Sequence, residues 1–396
     1  MKTHAIIPIF IPHKGCPNDC VFCNQNKITL KEAPLQDVNV SETIDKYLTT
    51  LERKYDLAPN KTSHQTLEAK RHAPFQEPLN RQNPMTVEVA FYGGSFTGIP
   101  IEEQSQYLKI ASSYKKRGLV DKIHLSTRPD YIDDAILTNL KKYDVDTIEL
   151  GVQSFDDDVL KKTNRGHDSS IVYESSALIQ DYGFELGLQL MIGLPGDTPD
   201  KSIYSANELV KIKPSIARLY PTIIIENTSL QKMFLAGEYS TPTLSEYIST
   251  TKEMYRIISA AGINIIRVGL RSADLVKKAG VNFHPAFRQL VESEIARDMI
   301  EEQLYIDSSL PKFATKAISN QDATSEKSAP VLDVKSDFLN LPSATIRLLS
   351  NEKSFSNMIG HKKSNKIYFS KKYPHITFDY GIDNSLADGQ YIVLKL

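Results

Sequence analysis

The stretch AIIPIFIPHKGCPNDCVFC, residues 5–23, joins two signals: an apolar, β-branched run at 5–11 that reads as a buried strand, and a tight cysteine loop directly after it. Comparable apolar runs recur at 87–92, 122–125, 147–152, 185–192, 216–220 and 263–268. Amphipathic helical patterns such as 102–115, 169–181 and 244–261 fill the gaps. Strand and helix alternating in this way specify a parallel sheet. Periodicity leaves a full or partial β/α barrel and an open doubly wound sheet both standing. The polar motifs decide between them, because they gather at the C-terminal ends of the strands, where a barrel builds its site. The expected fold is α/β: a partial (β/α)6-type barrel followed by a small α+β C-terminal domain.

Two polar segments break the pattern. Residues 58–84 lack apolar periodicity and read as a flexible insertion within a barrel domain at 1–305; residues 306–340 read as a linker to a C-terminal piece at 341–396. With 47 Lys plus Arg against 48 Asp plus Glu the net charge is −1, which excludes whole-molecule charge as a handle for nucleic acid. No run approaches the roughly 18 apolar residues of a membrane span. The N-terminal apolar stretch is short and broken by Pro8, unlike a signal peptide, so a cytoplasmic location without a membrane partner is expected. Three cysteines, an odd number, argue against a disulfide framework and for reducing surroundings.

All three fall in one loop as C-x3-C-x2-C: Cys16, Cys20 and Cys23. Soft thiolates on a loop at the end of a strand can cap three corners of an iron-sulfur cube and leave the fourth iron open. The competing reading is structural zinc, which needs a fourth ligand such as His4 or His13. The spacing, with Phe22 before the last cysteine, resembles the radical S-adenosylmethionine superfamily over about residues 2–300. That resemblance implies a 4Fe-4S cluster, S-adenosyl-L-methionine chelated at the open iron, a reductase or flavodoxin-type electron donor, and hydrogen abstraction by an adenosyl radical.

Further motifs close the later strands. Gly93, Gly94 and Ser95 end the second strand and look like the superfamily's contact to the methionine amino group, and Gly193 at the fifth looks like its adenine contact. Arg128 can face a carboxylate or phosphate, or pair with Asp130. Glu149, Gln153 and Gln189 point inward by alternation; ribose, adenine or substrate would supply the hydrogen bonds their burial demands, and a self-satisfied polar network is the alternative. Tyr220, with Arg267 and Arg271, can line the substrate side.

The strings TRPDY (127–131), GVQS (151–154), RGH (165–167) and RLYPT (218–222) resemble the radical domain of the elongator catalytic subunit, which implies modification of transfer RNA. That family's acetyl-coenzyme A donor needs an acetyltransferase-like domain; residues 341–396 are too short for one and lack its glycine-rich pyrophosphate loop. A second relative by motif is oxygen-independent coproporphyrinogen III oxidase, from which the chain departs at Gln25, where that family carries another cysteine. A third reading is a non-catalytic iron-sulfur or zinc RNA adaptor. In the C-terminal piece the order strand, helix, loop Gly360-His361-Lys362-Lys363, helix, strand resembles a KH-type core, with Lys363 in place of the second loop glycine. His284-Pro285-Ala286-Phe287, followed by Arg288 and Glu292, opens a helix that is read as closing the barrel.

Overall fold

A computed structural model of the chain describes residues 4–11, 16, 20–23, 39–55, 85–270, 284–306 and 344–396. The insertion expected at 58–84 and the linker at 306–340 fall almost wholly outside these residues, as does Arg271. The chain divides into two units, Met1–Pro285 and Ala286–Leu396.

The first unit carries seven strands in the order of the sequence: β1 (His4–Phe10), β2 (Thr86–Tyr92), β3 (Lys122–Thr127), β4 (Thr147–Gln153), β5 (Glu185–Ile192), β6 (Ile216–Pro221) and β7 (Asn264–Val268). Neighbours pair in parallel throughout, which gives a curled half-barrel whose strands correspond to the seven apolar runs of the sequence. Helices α1 (Val40–Tyr55), α2 (Ile101–Lys116), α3 (Asp134–Lys142), α4 (Asp157–Lys162), α5 (Ser170–Asp181), α6 (Pro199–Ile212), α7 (Ser229–Leu235) and α8 (Leu244–Ala260) fill the connections. Alternate residues such as Ala5, Ile7 and Ile9, or Ile148, Leu150 and Val152, are buried, as strands covered by helices require. Several helix starts are fixed locally. Asp133 caps α3 through the Ile136 N–H, Thr198 caps α6 ahead of Pro199, and Thr243 with Glu246 forms a capping box on α8.

The second unit begins with α9 (Phe287–Ile306) and continues β8 (Ala344–Ser350), α10 (Glu352–Ile359), α11 (Ser364–Lys372), β9 (Ile376–Ile382) and β10 (Tyr391–Lys395). Its sheet order is β10-β8-β9, with β8 and β9 parallel and β10 antiparallel to β8. Helix α9 was expected to close the barrel. Instead its stripe Ala296, Ile300 and Leu304 packs into one core with Ile346, Leu348, Met358, Phe369, Tyr373 and Tyr391. An i, i+4, i+8 stripe announces a buried face without saying which partner buries it.

Candidate active site

The cysteine loop is anchored by backbone hydrogen bonds at the C-terminal end of the sheet. The Cys23 N–H donates to the Cys20 carbonyl at 2.9 Å, so the x2 spacing forms a hydrogen-bonded turn. Val21 between them donates to the Thr163 carbonyl at 3.1 Å and accepts from the Leu230 N–H at 2.7 Å, which ties the turn to the ends of α4 and α7. Val21 and Phe22, like Met233 and Phe234, pack against the cluster of Ile224, Leu230 and Tyr239, so the aromatic residue before the last cysteine holds the loop to the segment after β6. None of the cysteines is in a disulfide; Cys20 is buried, Cys16 and Cys23 half-buried.

Two buried guanidiniums meet the Cys20 sulfur. Arg165 Nη1 donates to it at 3.5 Å while Nη2 donates to the Gly151 carbonyl. Arg128 Nη1 approaches it at 4.0 Å; the same side chain makes a two-pronged pair with Asp130, at 2.8 Å from both Nε and Nη2, and donates to the Arg165 carbonyl at 2.6 Å. Burial alone would lower Arg128; Asp130, and then the charges of Cys20 and Cys16, hold it above the ordinary arginine value. Burial presses Arg165 down, with the Cys20 charge opposing and Arg128 adding to the depression. Two such cations beside one sulfur complement a thiolate-ligated group of net negative charge. Among the described residues no three His, Cys, Asp or Glu side chains are gathered closely enough to hold a metal ion by themselves, so the fit to an iron-sulfur cluster lies in the donor chemistry: three soft thiols and the cations around them.

The ends of β2, β4 and β5 turn through left-handed backbone. Gly93 and Gly94 take φ values of 88° and 68°, which glycine adopts without a Cβ penalty. Ser95 is fully buried and bonds Thr127 Oγ1 at 2.9 Å, as Thr97 does at 2.5 Å, so the glycine turn is held to β3. Gln153 lies in the left-handed region at φ 75°, next to a register irregularity in β4, and accepts from Gln189 Nε2 at 3.0 Å. Gly193, at φ 77°, donates to Asp197 at 2.8 Å and accepts from the Tyr239 hydroxyl at 2.6 Å. A Cβ there would lie 2.7 Å from the Tyr247 ring.

Lower on the same face runs an ionic chain that crosses strands. Glu88 (β2) binds His4 Nε2 at 2.7 Å and His124 Nδ1 (β3) at 2.6 Å. His124 Nε2 is 3.7 Å from Glu149 (β4), whose carboxylate meets Arg218 Nε (β6) at 2.6 Å. Arg218 also donates to the hydroxyls of Tyr92 at 3.0 Å and Tyr220 at 3.1 Å. Side chains from β2, β4 and β6 can meet only on the concave side of a curled sheet, which identifies this as its inner face. Burial would raise Glu88; hydrogen bonds and charge from His124 and His4 offset it and hold the carboxyl at about 2. Burial likewise would lower Arg218, but Glu149 and the two phenols raise it. Tyr92 and Tyr220 are raised by burial, with Arg218 opposing.

Sequence comparison places this arrangement. The Radical SAM superfamily model matches residues 10–204, and the Radical_SAM C-terminal domain model matches residues 214–297. The chain belongs to the radical SAM superfamily. Members use a 4Fe-4S cluster and S-adenosylmethionine. A tRNA uridine(34) acetyltransferase of Dehalococcoides mccartyi is 29% identical over 174 residues, 39% of this chain and 38% of that protein. Elongator complex protein 3 of Bos taurus is 29% identical over 192 residues, 43% of this chain and 35% of that protein. The match therefore spans under two fifths of either relative. The solved structure of Methanocaldococcus infernus Elp3 with an N-terminal deletion superposes with a TM-score of 0.51 at 18% identity, covering 70% of this chain and 62% of that one, and it supports the fold.

Of the residues expected from sequence in this radical SAM barrel, Cys20 and Arg128 come together, as do Gln153 and Gln189. Arg128 is committed to Asp130, so the pairing weighed as its alternative is the one found, with the cluster loop as an added neighbour. Glu149 is paired by charge with Arg218 at 2.6 Å, although neither its Oε2 nor Arg218 Nε gains a hydrogen bond there. Tyr220 is tied to the same guanidinium. Glu88 and His124 lie outside the motifs quoted above and Arg218 enters only within the string RLYPT, although each is the lone charged or imidazole residue in the interior of an apolar strand and occupies the third position, like Glu149. Arg165 follows α4 in a turn, where no periodicity marks it.

Proposed function

We propose that this chain reductively cleaves S-adenosylmethionine at a 4Fe-4S cluster ligated by Cys16, Cys20 and Cys23, and uses the resulting radical to abstract hydrogen from a transfer RNA substrate. The observation that carries the reading is the convergence of Arg165 and Arg128 on Cys20 at the C-terminal end of a parallel barrel sheet. The tRNA part is supported by the named activity of the uridine(34) acetyltransferase relative and is the finer claim. When bound, the cluster supplies the electron that breaks the sulfonium bond of S-adenosylmethionine. The chain's own residues bind and orient. Gly93 and Gly94 offer close backbone approach for an ammonium, with Ser95 fixing their turn; Gln153, Gln189 and Gly193 border the space for ribose and adenine; Tyr220 carries a phenol into the lumen above Arg218. The packed Phe22 segment helps exclude water around the cysteine loop.

Cys20→Ala tests the cluster assignment. Anaerobically reconstituted protein should lose the cluster's visible absorbance and all reductant-dependent formation of 5'-deoxyadenosine, and retained formation would refute the assignment. Modified nucleosides of tRNA from cells with and without the protein test the substrate; identical profiles would remove tRNA and leave a small molecule or peptide.

A further inference from the structure

The second unit gathers positive charge at one loop. Most of its other described cations stand beside carboxylates: Arg347 with Asp379 at 2.7 Å, Lys372 with Glu301 at 2.6 Å, Arg288 with Glu292 at 2.7 Å, and Lys353 with Asp388, while Lys395 is exposed at the end of β10. Lys362, Lys363, Lys366 and Lys371 are exposed and, among the described residues, form no ion pair. They occupy the loop between α10 and α11 and the exposed face of α11, so a chain whose charges sum to −1 still carries a local positive cluster here.

The loop is built to keep one shape. Lys362 and Lys363 lie in succession in the left-handed region, at φ 51° and 64°, a conformation costing roughly 1–2 kcal/mol for each non-glycine residue. Gly360, at φ 80°, is irreplaceable for space, since a Cβ there would lie 2.6 Å from the Asn365 nitrogen. The Lys363 N–H closes on the Gly360 carbonyl at 2.9 Å, and the buried Asn365 amide donates to the carbonyls of Ser293 at 2.7 Å and Asn357 at 3.0 Å. Next to the loop, Lys366 Nζ lies 5.3 Å from the Tyr380 ring centroid, and Ile367 is 50% exposed. The Tyr380 hydroxyl is buried with no hydrogen-bond partner among the described residues. Exposed lysines without ion pairs, beside a phenol ring and an exposed isoleucine, match a chain of phosphates carrying flat bases. The same βααβ order, with a loop between the helices against the backbone, is how KH-type modules hold single strands.

We propose that the 360–363 loop and the exposed face of α11 bind the sugar-phosphate backbone of single-stranded RNA. This deepens the reading of the substrate as tRNA and assigns RNA contact to a surface separate from the residues that handle S-adenosylmethionine. The test is fluorescence anisotropy of a labelled short oligouridylate on the intact chain, titrated at several salt concentrations. Wild type should show a steep negative dependence of log K on log salt, about 0.7 per phosphate contacted. The triple variant Lys362→Glu, Lys363→Glu, Lys366→Glu should bind at least tenfold more weakly, with a slope shallower by about 2. The triple Lys→Gln variant should lose less. An equal change of charge at the exposed Lys109, Lys142 and Lys161 of the first unit should leave affinity within about twofold. Equal losses in both charge-reversed triples, or no loss in the loop variant, would overturn the proposal, as would tighter binding of a blunt RNA duplex. Wild-type protein that binds the oligonucleotide through these lysines but modifies no tRNA would sink the substrate reading alone. Protein that modifies tRNA at an unchanged KM without the three lysines would sink only the loop.

Discussion

In the lower half of the barrel's inner face each buried carboxylate meets a basic side chain from another strand, Glu88 meeting His4 and His124, and Glu149 meeting Arg218. At the upper rim the arrangement inverts: two guanidiniums converge on the sulfur of Cys20, and the backbone at Gly93, Gly94, Gln153 and Gly193 turns left-handed. The lower network pairs its charges within the protein, although His124 Nε2, Glu149 Oε2 and Arg218 Nε meet at ion-pair distance without hydrogen-bond geometry, so its value is structural rigidity. The rim holds cations beside the cysteine sulfur that suit an anionic cofactor, so its value appears on loading. Substitutions in the two regions should therefore separate, the lower set in the stability of the apoprotein and the upper set in the properties of the loaded enzyme.

The largest effect on stability is expected from Arg218→Leu, which strands Glu149 without its cation and should cost about 3–5 kcal/mol in urea unfolding of the apoprotein. The double variant Arg218→Leu, Glu149→Leu should recover much of that loss, and an unrecovered loss would mean that packing, rather than charge, holds the region.

Glu88→Gln addresses the other end of the chain. The folded carboxyl is held at about 2, below its ordinary value near 4.5, so its contribution is fully present above pH 4.5 and is lost as pH falls toward 2. Two and a half units correspond to roughly 3 kcal/mol. The wild-type apoprotein should lose about that much more stability than Glu88→Gln between pH 5 and pH 2.5, and parallel pH profiles would contradict the assignment.

At the rim, Arg165→Ala should leave the apoprotein folded but make the reconstituted cluster harder to reduce, since a cation beside it favours the more negative state. A shift of roughly 50 mV or more to lower potential is expected in a redox titration followed by electron paramagnetic resonance. The smallest effect belongs to Tyr220→Phe, which gives up one hydrogen bond from Arg218, worth about 1 kcal/mol, and should spare cluster content while changing turnover of substrate.

The sequence made the sheet readable because parallel strands covered on both faces are nearly continuous apolar runs, and six runs fall within a few residues of the observed β2–β7. The cysteine loop was readable because three thiols at that spacing have few other uses. Less was readable where a residue's meaning depends on its partner. Glu149 and Gln189 were flagged by alternation, but the same parity applied to TVEVAFY, KIHLST and IARLYP would have added Glu88, His124 and Arg218 and turned an expected ribose contact into an ion pair. Arg165 lies in a turn, and its neighbour Cys20 is 145 residues away in the chain, a contact no local pattern encodes. The strand Tyr391–Lys395 lies outside the elements read from the sequence, and α9 falls in the second unit, because its apolar stripe does not name its core.

The most direct test of the central claim is chemical analysis of anaerobically purified and reconstituted protein. The account predicts about four irons and four acid-labile sulfides per chain, with S-adenosylmethionine cleaved to methionine and 5'-deoxyadenosine once reductant is added. Stoichiometric zinc with neither sulfide nor cleavage would contradict it.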